Sequence, residues 1–303
     1  MSELPSATVI LPTKNRPDFL SACLENLARQ DYPRERWQTV VVNDGGADPS
    51  GAPAGSAADA PNLTFLSIPP SGPAAARNRG ARDAETDFLV FIDDDCQPEP
   101  SWLRELILGI SASPYAAGMG RTLNRFPGNP SARASQYFME FYRDYERLPG
   151  GDLYLVMSNN AVYRREIFSA LGGFAEEFVR PGAEDLELSH RLVARGLRQG
   201  YLPQAVLRHA NCQTPAAFLR QQYQYGRGYA RAMNRIRRNG IPIQLGQRRR
   251  PQFHLALLQS MQHNGPGLRE SALIWCGILA HSLGARMENL RHPAGIESTG
   301  ATA

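Results

Sequence analysis

Lysine is nearly absent from this 303-residue chain. Lys14 is the sole one among 33 basic residues, so arginine carries the positive charge. Arginine suits bidentate phosphate contacts; GC-rich codon usage accounts for most of the Arg-for-Lys choice. It does not account for where the charge sits. No acidic residue occurs between Glu187 and Glu270, an interval holding fourteen arginines, which leaves about −10 on the rest of a chain of net charge +4. Cysteine is scarce as well. Cys23, Cys96, Cys212 and Cys276 lie far apart without a CxxC pair. That excludes a disulfide framework and a cysteine-rich zinc site, and fits a reducing cytoplasm. No run of eighteen apolar residues is present, so no membrane-spanning helix is expected. The opening MSELPSATVIL has no basic region ahead of an apolar one, so no signal peptide is expected. Neither G-x-G-x-x-G after the first strand nor G-x-x-x-x-G-K-[ST] occurs, which disfavours a dinucleotide fold and a Walker nucleotidase.

What is present is an ordinary globular composition, 42% hydrophobic and 20% charged, long enough for one large domain or two unequal parts. The most telling stretch is TDFLVFIDDDCQPEP, residues 86–100. Phe88 to Ile92 reads as a strand buried on both faces, as in a parallel sheet. It ends in Asp93, Asp94 and Asp95; Pro98 and Pro100 stop it, and Trp102 to Ile110 reads as a helix. Ligands of open α/β sheets bind beyond the carboxyl ends of the strands, where these aspartates sit. Neighbouring carboxylates repel by about 1 kcal/mol in water and about 4 kcal/mol at an effective dielectric near 20. A divalent cation would reverse that sign, and Mg²⁺ and Mn²⁺ favour such ligands together with phosphates. A solvated acidic turn is the plainer reading of the triplet alone.

Upstream, Thr8 to Leu11 and Thr39 to Val42 are strands flanking a helix over Phe19 to Arg29, the opening of a parallel sheet with right-handed crossovers. Thr13, Asn15, Arg16 and Asp44 follow those strands on the same edge as the aspartates; turn chemistry alone also explains Asp44-Gly45-Gly46. Residues 45–62 read as a low-complexity surface loop. Leu63 to Ile68 is a third strand, and Pro73 to Ala84 a helix bearing Arg77, Asn78, Arg79 and Arg82. Downstream, Ala116 to Gly120 is a strand and Ser131 to Arg147 an aromatic-rich helix. Residues 148–174 give a strand, small polar residues, a second short strand and a short helix. Glu184 to Arg195 is an amphipathic helix with acids at its N-terminus; complementing the helix dipole is worth roughly 0.3–1 kcal/mol and is reason enough for them. Ala205 to Leu207 is a short strand followed by Arg208 and His209. Pro215 to Arg238 is a long helix with Phe218, Tyr225, Tyr229, Ala232 and Ile236 on one face and Arg220, Arg227, Arg231, Arg235 and Arg238 on the other. That pattern suits an anionic membrane surface or a core helix with a solvated basic face. After Arg248–Arg250, Phe253 to Met261 and Leu268 to Leu290 read as helices.

In this order the pieces resemble the family 2 glycosyltransferases of GT-A fold, from Thr8 to about Gly228. TVILPTKNRPDFLSACLENLARQDYP is similar to the family's opening unit, VVVNDGG to its VVDDGS segment, AARNRGA to A-R-N-x-G and FIDDDCQPEPSWL to the D-x-D segment. NNAVYRREIFSALGGF resembles the acceptor-side strand and helix, PGAEDLELSHRLVARG the Glu-Asp motif, and LRH with FLRQQYQYGRG the closing segment. Departures are Asn43 in place of an acid, Cys96 where many members carry a further Asp, and Ala175 where GGFD is usual. Q-x-x-R-W of the processive synthases is absent.

The resemblance implies a Rossmann-like, mostly parallel central sheet flanked by helices, with residues 1–212 as the nucleotide-sugar-binding and catalytic domain and 213–303 as a C-terminal helical extension. It implies a nucleotide-diphospho-sugar donor whose base and ribose meet Pro12, Thr13, Arg16 and Asp44, with Arg77 near the nucleotide and Glu184 on the donor. Asp93 and Asp94 would contact ribose and metal waters, Asp95 would ligate Mg²⁺ or Mn²⁺, and His209 would be a further metal or phosphate contact. Asp185, a carboxylate at a loop-to-helix turn, is the expected catalytic base for one inverting displacement. The expected enzyme is a non-processive transferase of hexosyltransferase type in cell-surface polysaccharide or glycolipid synthesis. Its acceptor would be a saccharide or lipid-linked, and no nucleic acid is involved. It would be cytoplasmic, with peripheral contact to the inner face of the plasma membrane. A sugar-phosphate nucleotidyltransferase, which would carry a glycine- and lysine-containing first loop, and a non-catalytic membrane-docked nucleotide-sugar-binding protein are the alternatives.

Overall fold

A computed structural model describes residues 4–47, 60, 62–148, 150–241 and 250–292. Most of the expected 45–62 loop, and Arg248 and Arg249, lie outside these. Eight strands form one sheet: β1 (Ala7–Thr13), β2 (Trp37–Asp44), β3 (Leu63–Ile68), β4 (Phe88–Ile92), β5 (Cys96–Pro98), β6 (Ala117–Asn124), β7 (Asn160–Arg164) and β8 (Gln199–His209). Their order is β3-β2-β1-β4-β7-β6-β8-β5. β3, β2, β1 and β4 are parallel. β7 runs antiparallel between β4 and β6, and β8 is parallel to β6. The carboxyl ends of β1, β2, β4 and β8 therefore share one edge.

The helices follow from apolar periodicity. α1 (Pro17–Leu27) and α3 (Trp102–Ser111) cover one sheet face. There Leu20, Leu24, Leu27, Leu106 and Ile110 meet Val9, Leu11, Val90 and Ile92. The alternate residues Ile10, Leu89 and Phe91 point to the other face. They pack on α2 (Pro73–Arg82), α5 (Arg165–Ala170) and α6 (Glu184–Ala194) through Ala74, Phe168, Leu188 and Leu192. Two-sided burial explains why these strands read as unbroken apolar runs. α4 (Pro130–Tyr145) packs with α7 (Pro215–Arg238), α8 (Arg250–Asn264) and α9 (Leu268–Arg291) around Phe138, Phe218, Phe253 and Ile274.

The structure departs from the sequence expectations in three places. The segment Leu153 to Met157 is not a strand. Its amides are taken singly, Leu153 N by the Gln199 carbonyl (2.8 Å) and Val156 N by Ser189 Oγ (3.1 Å), so no ladder forms. β8 is eleven residues long rather than three, because a register shift opposite Gly120/Arg121 takes up Pro203, Gln204 and Ala205, which hide its alternation. Cys96–Pro98 forms a short strand on β8 instead of a plain stop, with Pro98 at the sheet edge.

The basic face of α7 is used inside the protein. Arg227 and Arg231 both reach Glu288 of α9, at 2.7 and 2.5 Å, and Arg235 reaches Glu187 of α6 (3.1 Å) and Glu177 (2.9 Å). Among the described residues no helix is long and apolar enough to cross a membrane.

Glycines set the spacing of α7. A Cβ on Gly226 would overlap the His281 carbonyl of α9, and one on Gly228 the Gly182 carbonyl just before α6. Neither obstacle is a flexible side chain. Gly226→Ala is therefore expected to cost about 1–3 kcal/mol, read as a lowered thermal midpoint; an unchanged midpoint would contradict this packing.

Candidate active site

β1 ends in Thr13, and its side chain donates to Asp94 Oδ2 at 2.8 Å in a buried contact. Two residues into the loop, Asn15 has φ +54°, which turns the chain so that Arg16 faces the aspartates. Arg16 Nη1 lies 2.8 Å from Asp94 Oδ1 and 2.9 Å from Asp95 Oδ2. Pro12 is half-buried in the last turn of the same strand. The aspartates themselves form a tight turn, closed by Cys96 N donating to the Asp93 carbonyl at 3.1 Å.

Their environments differ. Burial raises the Asp94 carboxyl to about 6, with Arg16 opposing and Asp95 adding to the rise. Burial also works against ionising Asp95, but His209 and Arg16 outweigh it and hold that carboxyl at about 2. His209 closes β8 and places Nε2 3.3 Å from Asp95 Oδ1, while its Nδ1 is 3.0 Å from Asn211 Oδ1. Burial lowers the basicity of His209, yet the neighbouring Asp95 brings a net rise. Asp95 Oδ1 is buried, and its 3.3 Å contact with the imidazole is not a well-aligned hydrogen bond. A buried carboxylate oxygen left open beside an imidazole fits the donor set of a divalent cation.

Asp44 is built into the frame. Its Oδ1 accepts the amides of Ser71 (2.6 Å) and Gly72 (2.9 Å), where Gly72 has φ +93°. Its Oδ2 faces Lys14 at 3.4 Å. Asn43, the departure from the family's acid, stitches the same lip. Its amide donates to the Gly46 and Ala47 carbonyls, both at 3.1 Å, and Asn15 Oδ1 accepts Ala47 N at 3.0 Å.

Arg77 joins the two walls. It is 3% exposed. One terminal nitrogen lies 2.7 Å from Asp93 Oδ1 and the other 2.8 Å from Glu184 Oε1. Its guanidinium also stands over the Phe174 ring at 5.7 Å. Both terminal nitrogens of Arg77 thus serve carboxylates of the protein. Glu184 is buried, with its other oxygen accepting Gly182 N at 2.9 Å. Ala183, at φ +73°, makes the turn that starts α6. Next comes Asp185, whose oxygens accept Leu186 N (2.8 Å) and Ser158 N (3.3 Å). Burial, then the adjacent Glu184 charge, pushes its carboxyl up to about 7 against the pull of Arg77. An acid tuned to that range can take a proton near neutrality.

The sequence-predicted residues thus come from one sheet edge (Pro12, Thr13, Arg16, Asp44, Asp93, Asp94, Asp95 and His209), from α2 (Arg77) and from the α6 N-terminus (Glu184 and Asp185). The sequence reading passed over Lys14, Ser158, Asn159 and Asn211. The signal for two of them was Ser158-Asn159, polar residues between apolar LYLVM and AVY.

Known proteins resemble this chain in sequence and in fold. A glycosyl transferase family 2 profile matches residues 8–172. A pre-mycofactocin glycosyltransferase of Mycobacterium tuberculosis is 33% identical over 210 residues, covering 67% of this chain and 42% of that protein. The chain thus spans less than half of that relative. The O-antigen chain rhamnosyltransferase WbaN of Salmonella anatum is 29% identical over 236 residues, covering 73% and 70%. Among solved structures, the mannosyltransferase PcManGT of Pyrobaculum calidifontis, in complex with GDP-Man and Mn²⁺, superposes with a TM-score of 0.66 at 20% identity, covering 95% of this chain and 88% of that one. S. aureus TarS 1-349 in complex with UDP gives 0.55 at 20% identity, covering 94% and 91%. The GT-A fold expected from the sequence is thereby shown, and the chain belongs to glycosyl transferase family 2.

Proposed function

We propose that the protein transfers a sugar from a nucleotide-diphospho-sugar to an acceptor hydroxyl, with inversion and without processivity, using Mg²⁺ or Mn²⁺. The observation that carries this reading is the Arg77 bridge. It holds the Asp93–Asp95 turn, suited to a cation and a diphosphate, against the Glu184–Asp185 turn, which carries a carboxylate tuned near 7. Asp95 and His209 would hold the metal. When bound, it neutralises the charge developing on the departing nucleoside diphosphate. Pro12, Thr13, Arg16 and Asp44 line the donor side, with Arg16 free to trade its carboxylates for phosphate oxygens.

Asp185 takes the proton from the attacking hydroxyl as it closes on the anomeric carbon. The C–O bond to the diphosphate breaks on the opposite face, and no enzyme-bound intermediate forms. Glu184 and Arg77 fix the backbone of that turn, and Ser158 N orients the Asp185 carboxylate. Support for the donor class comes from the structural relatives, which are complexes with GDP-Man and with UDP. We place the activity in cell-surface polysaccharide or glycolipid synthesis, by analogy with the O-antigen rhamnosyltransferase. The nucleotidyltransferase alternative is disfavoured by a first loop, PTKNRPD, that has no glycine. For peripheral membrane contact, the α7 face offers less than its sequence suggests, since Arg227, Arg231 and Arg235 are engaged by Glu288, Glu187 and Glu177.

Thermal melting with UDP, GDP, dTDP and their sugars, each with Mn²⁺ or with EDTA, tests the reading. One nucleotide at a hundredfold its Kd is expected to stabilise by about 2.7 kcal/mol, a rise of several degrees that EDTA abolishes. No shift with any nucleotide would overturn the donor assignment.

A further inference from the structure

Cys96 is the departure from the family pattern that stands closest to the proposed metal. The β5–β8 ladder pairs Cys96 with His209, so both side chains leave the sheet on one face. Asp95 precedes Cys96 in the turn. One ligand atom from each of Asp95, Cys96 and His209 lies within 4.8 Å of the others. The thiol is fully buried and donates to the Asn159 carbonyl at 3.7 Å, a weak sulfur contact. Asp95 Oδ1 has the His209 imidazole at 3.3 Å but makes no well-aligned hydrogen bond. The Cys96 thiol and Asp95 Oδ1 are therefore only weakly engaged by other groups of the protein.

We propose that Cys96 supplies a sulfur ligand, so that this site also takes thiophilic divalent cations, Zn²⁺ and Cd²⁺, in a mixed oxygen–nitrogen–sulfur set. The inference rests on the reading of Asp95 and His209 as metal ligands and adds a donor and a class of cation to it. Zinc bonds of about 2.0–2.3 Å put tetrahedral ligand atoms roughly 3.3–3.8 Å apart. The cluster needs to contract by about an ångström, within the reach of side-chain rotation. Three protein donors leave the fourth position for water or a phosphate oxygen. As the metal–sulfur bond forms, the thiol proton passes to solvent. Softness sorts the cations: Mg²⁺ keeps to oxygen ligands and leaves the sulfur outside its shell, whereas Zn²⁺ and Cd²⁺ recruit it. Exposure to zinc would then replace the working cation with one held by an extra ligand.

The test uses the full chain stripped with EDTA and titrated with Cd²⁺, following the ultraviolet sulfur-to-cadmium charge-transfer band. Mn²⁺ binding is followed in parallel by electron paramagnetic resonance. Cys212 and Cys276 are less buried and are first changed together to serine as the reference. The band is expected to persist in that reference and to vanish when Cys96→Ser is added. Cd²⁺ affinity should then fall by about tenfold or more, with Mn²⁺ affinity kept. If Cys96→Ser fails to fold by circular dichroism, cadmium NMR of the reference protein reports sulfur ligation directly. A band that survives in folded Cys96→Ser, or a reference protein with no sulfur-ligated cadmium by either method, overturns the inference. Mn²⁺ bound without any sulfur signal would leave the Asp95–His209 reading standing and remove only Cys96. Binding of neither cation would remove both.

Discussion

Asp185→Asn is expected to lower turnover by about 10²–10⁴-fold while leaving nucleotide-dependent stabilisation unchanged. The substitution keeps the shape of the side chain and one acceptor oxygen for Leu186 N, gives up the acceptor that meets Ser158 N, and removes the capacity to take a proton. Because burial and Glu184 raise the carboxyl to about 7, wild-type activity should climb with pH and reach half its plateau near that value. The variant's residual rate should lack that limb. The same shift makes a stability claim of opposite sign. In the folded protein Asp185 holds its proton above the unfolded value, so the native state binds more protons between about pH 4 and 7 and loses stability as pH rises through that window. Asparagine removes that pH-dependent loss, so the melting temperature of the variant should rise relative to wild type on going from pH 5 to pH 8. Initial rates across pH, with melting curves at pH 5 and 8, check both halves. A variant with full turnover would end the assignment of Asp185 as base.

Arg77→Met carries the largest expected loss of stability. The guanidinium separates Asp93 from Glu184, and Glu184 is buried. Methionine leaves an uncompensated buried carboxylate, a change that costs about 3–5 kcal/mol when both partners are enclosed. The Asp93 side chain is 30% exposed, so the lower end applies, about 3 kcal/mol and a fall of several degrees in Tm. Lysine should recover little, because one ammonium cannot fork to two carboxylates on opposite sides. Adding Glu184→Gln to Arg77→Met should return part of the loss, since the two sites share one interaction. Denaturant melts of wild type, Arg77→Met, Arg77→Lys, Glu184→Gln and the double variant decide it. Additive losses, or a single-variant loss under about 1 kcal/mol, would mean that the bridge contributes no more than a surface pair.

Much of this was legible in the sequence, for physical reasons. Strands buried on both faces announce themselves as FLVFI or TVIL, and polar residues that end such runs must lie at the sheet edge. That logic brought Thr13, Asp44 and Asp93–Asp95 together before any coordinates. Residues whose role depends on a distant partner were harder to read. Arg77 looks like one more arginine on a helix until the fold sets Glu184 opposite it. The basic stripe of α7 looks like a solvated or lipid-facing surface because its counterions, Glu177, Glu187 and Glu288, are about fifty residues or more away in the chain. Asn43 and Ser158 act through backbone groups, and residue type alone carries no trace of such contacts. β7 could be placed as a strand, but its direction depends on the sheet order around it.

The close seating of Gly228 against the Gly182 carbonyl, and of α7 on α9 through Gly226 and Glu288, has a consequence for the timing of synthesis. The turn that carries Asp185 leans on α7, and α7 is locked by residues that the ribosome adds about a hundred positions later. At roughly 5–20 residues per second, the donor half has some seconds to fold before its facing wall can be braced. On the proposed reading, a nascent chain would then be able to hold nucleotide before it can turn over, and transfer would wait for α9 to dock.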